Sequence, residues 1–266
     1  FFFKQKTAYE IRNCDWSSDV CSSDLKHKLI YIDKIKKFVG NEYTAFGRSL
    51  HLLCEHAVED KIQEEDYDDF WDIAFEKEVM DLLAKDVELE QNVINVMSDQ
   101  AKKIAPQIIP QVVKTFKNYE VFSVEEKLYL DIPEVEGCKF KGFIDLVLKT
   151  DDGKYHIIDW KTCSWGWDAK KRSDKYITYQ LTLYKKFFCL KHDIDPKLVE
   201  THFALLKRTA KKDNVEIFRV TSGPRKVQNA TDLLVKGVKS IFNKAHFKNR
   251  GSCSLCEFRN TEHCPR

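Results

Sequence analysis

GFIDLVLKTDDGKYHIIDWKT (Gly142–Thr162) is the stretch whose reading decides the fold. Two apolar runs, Gly142–Leu148 and Lys154–Thr162, flank Asp151-Asp152-Gly153, so the stretch reads as a β-hairpin closed by a tight turn. Side chains at i and i+2 of a strand share a face. Asp159 and Lys161 therefore point one way, with Ile157 below them. On the first strand Phe143, Asp145 and Val147 share a face. A register that sets Asp145 beside Asp159 brings two carboxylates to one patch, and carboxylates that close repel unless a cation sits between them. Oxygen donors suit Mg2+ or Mn2+. A lysine beside such an ion orients water and offsets charge on a phosphate. The alternative is a solvated sheet face carrying these charges by chance. The apolar neighbours Ile157, Ile158 and Trp160 weigh against it, because an aspartate buried among them needs a partner.

Two helices flank the hairpin in sequence. AFGRSLHLLCEHAVED (Ala45–Asp60) is amphipathic, with Phe46, Leu50, Leu53, Cys54 and Ala57 as its apolar stripe and His51 at the stripe's edge. A histidine there reads as a boundary residue or as a ligand. Asp174–His192 reads as a second helix that puts Gln180 and Tyr184 on one face, as a core-edge pair or as part of a site. Elsewhere, Lys26–Asn41 reads as a short strand or turn-rich stretch and Tyr67–Ala84 as a helix. Glu88–Tyr119 reads as two helical parts interrupted near Pro106 and Pro110. Strands follow at Val121–Ile132, Val199–Leu206 and Val215–Thr221, and a long helix at Pro224–Lys248. The expected fold is α/β: a mixed sheet flanked by helices, with a helical insertion at about 60–119 and a cysteine cap over 250–266.

The order Gly47-x-x-x-His51, Gly142-x-Ile144-Asp145, Asp159-x-Lys161, Gln180-x-x-x-Tyr184 resembles the RecB-type branch of the PD-(D/E)XK nuclease superfamily. The likeness runs from about residue 43 to the end of the chain, and the four motifs are specific in combination where each alone is weak. It implies a restriction-endonuclease-like core and cleavage of DNA at ends or in single strands, in recombination, repair or phage DNA metabolism. It also implies His51, Asp145 and Asp159 as ligands of Mg2+ or Mn2+, Lys161 as the catalytic lysine, and Gln180 and Tyr184 as DNA-binding or supporting residues. A helicase or recombination partner belongs to the same context. Asp159 stands where Glu is commoner. The competing function is a catalytically degenerate module that only grips DNA or a partner, and it predicts the loss of a ligand position. All four are filled.

Cys253-Ser-Leu-Cys256 with Cys264 has metal-ligand spacing. By the same resemblance these three thiolates join a fourth cysteine, N-terminal to the His51 helix, around a [4Fe-4S] cluster. Zn2+ with His263, or free thiols, are the alternatives. Residues 1–25 resemble translated sequencing adapter and are excluded from the fold, which leaves 26–266 as the nuclease domain and implies that the fourth ligand was lost at the join. Of 9 cysteines in the chain, Cys14 and Cys21 fall in that segment. The net charge of +2 is close to balance, so attraction to nucleic acid must be local. Lys170-Lys171-Arg172, Lys207-Arg208 and Lys211-Lys212 are the basic runs. Trp165 and Trp167, in the loop after the hairpin, are candidates for stacking on bases, and Trp160 is expected in the core. No apolar run reaches membrane-spanning length, and cysteines without a signal peptide or disulfide pattern suggest a reducing cytoplasm.

Overall fold

The computed structural model describes residues 24–35, 39–245, 256 and 258–265. Five strands form one sheet in the order β1 (Tyr119–Asp131), β2 (Lys139–Thr150), β3 (Tyr155–Cys163), β4 (Val199–Lys207), β5 (Val215–Val220). The β1–β2, β2–β3 and β4–β5 pairs are antiparallel, while β3 and β4 run parallel. A parallel pair cannot be joined by a hairpin. The crossover here is α6 (Ala169–Ser173) and α7 (Lys175–His192).

The helices divide between the two faces. The N-terminal set comprises α1 (Asp24–His27), α2 (Glu42–Val58), α3 (Tyr67–Leu83), α4 (Gln91–Ile104) and α5 (Ile108–Phe116), and the chain's last long helix is α8 (Pro224–Phe242). Helices α2 to α5 bury Phe46, Leu50, Trp71, Ile104 and Val112 against Leu146, Leu148, Ile158, Trp160, Ala204 and Leu206 of the sheet. On the opposite face α7 and α8 bury Leu181, Phe187 and Leu234 against Val147, Ile157, Phe203 and Leu205. Successive strand residues thus feed different cores, which is why the hairpin strands read as nearly continuous apolar runs. The stretch expected as an insertion supplies, with α2, one whole layer of this sandwich.

Local chemistry sets the ends of the elements that carry the site. Asn41 caps α2: its side chain accepts from the Thr44 N–H at 3.1 Å, and its own N–H donates to Thr44 Oγ1 at 2.8 Å. Such caps contribute about 1 kcal/mol. Asp174 caps α7 by accepting from the Tyr176 N–H at 2.8 Å. Pro106 lies in a tight 3-10 turn, Ala105–Gln107, between α4 and α5, while Pro110 sits in the first turn of α5, where its missing N–H has no intrahelical partner to lose. The sheet and most helix boundaries match the sequence expectation within a few residues. One expectation fails: the start of Lys26–Asn41 is helical, with α1 running into a π-helical segment Lys28–Ile32. Leu29 is buried there, and α1 packs against α8, so tertiary contact overrides a weak local pattern. Of the segment read as adapter, residues 1–23 lie outside the described residues, and Asp24 and Leu25 belong to α1.

Candidate metal centre

Strands β2 and β3 pair only between Leu146–Lys149 and Tyr155–Ile158. Beyond that point β2 stays bonded to β1 and β3 to β4, so the two strands part. Asp145 and Asp159 are the first residues past the split and stand level with each other in its register. The Trp160 N–H, which has left the ladder, donates to Asp145 Oδ2 at 2.7 Å and holds that carboxylate in the gap. Two residues on from Asp159, Lys161 places Nζ 2.8 Å from Asp159 Oδ2. Helix α2 brings His51 to the same gap, with Nδ1 3.8 Å from Asp145 Oδ2.

The site is a cluster of acids about a lysine and a histidine. Burial pushes Asp145 and Asp159 up to about 6 against the pull of Lys161. Burial, followed by the charge of Lys161, pushes His51 down to about 4, so its imidazole is neutral and can act as a ligand. Two carboxylates that sequence reasoning passed over complete the cluster. Glu55 lies one turn beyond His51 on α2, and its charge raises Asp145 further. Glu125 of β1 falls between the pairs Val124–Leu146 and Glu126–Ile144, and so lies opposite Asp145. Its φ of 48° is a left-handed conformation uncommon for a non-glycine residue. Partial burial, then Asp145, Glu55 and Asp159, push it up to about 7. Glu55 was readable as the i+4 neighbour of His51, whereas Glu125 could be found only by knowing the β1–β2 register.

Four carboxylates around one ammonium and a neutral imidazole fit a hard divalent cation. Asp145, Asp159 and His51 are the side chains that could hold it.

Gln180 and Tyr184 of α7 are both buried, with Gln180 Nε2 donating to the Tyr184 hydroxyl at 3.1 Å. Burial, then the charge of Asp159, raises the Tyr184 phenol well above its usual range. A Cβ on Gly142 would lie 2.8 Å from Tyr184 Cε1, so the glycine of the Gly-x-Ile-Asp motif is what lets this ring lie across β2. The pair therefore forms part of the floor of the site and presents no open surface.

The tryptophans separate. Trp160 is in the core, and Trp165 is 77% exposed. Trp167, expected as a stacking candidate, is instead buried, because its ring packs on Phe203 at 5.0 Å and is covered by Lys171 at 4.8 Å. Part of the basic surface is also engaged internally. Arg172 and Lys207 both reach Glu216, at 2.7 and 3.4 Å, and Arg208 stacks over Tyr43 at 4.8 Å. Lys170, Lys171, Lys211 and Lys212 remain exposed. Of the cysteine cap, Cys253 lies outside the described residues. Cys256 and Cys264 are half-buried and free of disulfides.

Asp145, Asp159-x-Lys161 and the helical His51 are thus gathered where two strands of a mixed sheet part. A family model of the PD-(D/E)XK nuclease superfamily matches residues 18–264, and the chain belongs to that superfamily. Among solved structures, the chain is similar to a putative exonuclease from Eubacterium rectale, at 13% identity and a TM-score of 0.56, covering 96% of this chain and 92% of that one. It also aligns with the structure of SSO0001 at 16% identity and a TM-score of 0.37, covering 88% and 91%. No curated protein matches it. Among the described residues no helix is long and apolar enough to cross a membrane.

Proposed function

We propose that this nuclease is a divalent-metal-dependent deoxyribonuclease that degrades DNA from ends or in single strands. The observation that carries the reading is the cluster of Asp145, Asp159, Glu55 and Glu125 around Lys161 and a neutral His51 at the strand split. Mg2+ or Mn2+ held there would supply Lewis acidity to the scissile phosphate and to the attacking water. The chain's own groups do the rest. Asp159 fixes the Lys161 ammonium, which orients water and offsets charge as it grows on the phosphate. The Trp160 N–H keeps Asp145 turned into the gap. Gln180 and Tyr184 back the site and limit water beneath Asp159. Exposed Trp165 offers a stacking face for an unpaired base, and the lysines at 170, 171, 211 and 212 offer charge for the backbone.

The exonuclease reading rests on the resemblance to RecB-type nucleases, with which the description of the E. rectale protein agrees. The same resemblance carries the setting: recombination, repair or phage DNA metabolism in a cytoplasm, beside a helicase or recombination partner. Cys253, Cys256 and Cys264 are read as thiolates of a [4Fe-4S] cluster, on resemblance and C-x-x-C spacing, and iron and sulfide analysis after anaerobic reconstitution tests that reading. The activity is tested on end-labelled linear DNA and on circular DNA, with manganese or with EDTA. Mononucleotide or short-oligonucleotide release from linear DNA alone, only with manganese, is the expected result. Equal nicking of circles would make the enzyme an endonuclease, and no cleavage of either would defeat the reading.

A further inference from the structure

A second group of potential ligands lies outside that site: His156 on β3 with Glu200 and His202 on β4. The parallel register sets His156 opposite Glu200 and Ile158 opposite His202, so all three share the face covered by α2 to α5. Asp159 and Lys161 alternate onto the other face, further along β3. One ligating atom from each of the three residues lies within 4.8 Å of the others. His156 Nδ1 and His202 Nε2 are 3.2 Å apart. Two metal–nitrogen bonds of about 2.05 Å at a tetrahedral angle span about 3.3 Å.

The surrounding hydrogen bonds aim the His156 lone pair inward. Thr150 Oγ1 lies 2.6 Å from Asp152 Oδ1. Asp152 is held well below the usual carboxylate range by Lys154 and then by Thr150, so it only accepts, and the threonine's single proton goes to it. His156 Nε2, 3.0 Å from the same Oγ1, must therefore be the donor. That leaves Nδ1 with a lone pair facing His202. This carboxylate–threonine–histidine chain is the kind of outer support that fixes a metal-binding tautomer. Glu200 is oriented as well. Its Oε1 is held by Arg219 at 3.2 Å, with Lys154 at 4.0 Å, while Oε2 stays on the imidazole side, 4.0 Å from His156 Nδ1. Asp152 in turn offsets Lys154 at 2.8 Å. Both rings are buried under Phe116, whose ring lies 4.9 and 5.1 Å from them. Burial disfavours the charged form of both imidazoles.

We propose that His156, Glu200 and His202 form a second site, independent of the nuclease centre, for a divalent transition-metal ion of the zinc class. Two imidazoles and one carboxylate oxygen select such an ion over magnesium. A cleft of about 300 Å3 lies beside His156, lined also by Lys117, Asn118 and Asp151, and a water would complete four-coordination. The ion would join the first residues of β3 to those of β4, so its role is structural.

The test uses the full chain with Asp159→Asn and with the three cap cysteines changed to serine, which weakens the other zinc ligand sets. Zinc stoichiometry, the visible spectrum of the cobalt form and the thermal midpoint are read in excess magnesium. One zinc per chain, a tetrahedral cobalt spectrum and a raised midpoint are expected. Adding His202→Gln should abolish all three. Thr150→Val should weaken zinc binding about 10- to 100-fold. Glu200→Gln, at a partly exposed position, should weaken it at least as much and serves if the histidine variant does not fold. No zinc uptake by the parent chain, or uptake unchanged in Glu200→Gln and Thr150→Val, would overturn the proposal.

Discussion

Asp159 is buried and Asp145 half-buried, in surroundings that favour their neutral forms. Burial holds each folded pKa at about 6, above the ordinary carboxylate range, so this contribution to stability is full below about pH 4 and is lost as pH rises through 6. Asp145→Asn still accepts the Trp160 N–H, and it should raise the melting temperature of the metal-free protein by several degrees at pH 8 while changing it little at pH 4. His51 runs the other way: with its pKa lowered to about 4, its contribution is full above about 6.5 and lost as pH falls through 4. Thermal melts in EDTA at both pH values check this, and an unchanged or lower midpoint for Asp145→Asn at pH 8 would refute it. Metal binding must displace protons from the same carboxylates, so manganese affinity measured by calorimetry should fall steeply below pH 6. A flat profile from pH 5 to 7 would contradict the site. Asp145, Asp159 and Lys161 could be read because a period of two fixes which strand residues share a face. Glu125 could not, since its place depends on a pairing with β2 and on a left-handed backbone that no local pattern announces.

At the scale of elements, the site exists because β2 leaves β3 after four paired residues while each keeps its outer partner. The hairpin and its register were readable from alternation and the Asp-Asp-Gly turn. The split was not, because the apolar alternation runs on unbroken past Leu146 and Ile158, where the pairing ends. Gly142 links the split to α7. Gly142→Ala would force Tyr184 aside, and DNA turnover should drop at least tenfold with Gln180 displaced as well. Near-normal turnover would show that the Tyr184 ring position is immaterial. The loop after β3 carries Trp165, and Trp165→Ala should weaken single-stranded DNA binding by about 1–3 kcal/mol without moving the melting temperature. A fluorescence titration separates that outcome from a loss of folding. Trp167 sits two residues away in the same loop and is buried instead, a difference set by the position of Phe203 on β4 and invisible in the loop's composition.

Across the whole molecule, the layer order follows from the apolar runs of β2, β3 and β4, which need cover on both faces, and from the helices that the sequence supplies before and after them. The helices between residues 60 and 119 read in sequence as an insertion, yet with α2 they close one of the two cores against the sheet. Their apolar residues show the usual helical spacing but do not say which surface they meet. The central claim is that this sandwich holds one divalent-metal phosphodiesterase centre at the strand split. The most direct measurement is manganese-dependent release of nucleotides from end-labelled single-stranded DNA by the parent chain and by Asp159→Ala and Lys161→Ala, with folding checked by circular dichroism. The account predicts a loss of at least 1000-fold, on the order of 4 kcal/mol in the barrier, in both folded variants and in the parent chain with EDTA. Release by either variant within a few-fold of the parent chain would contradict it.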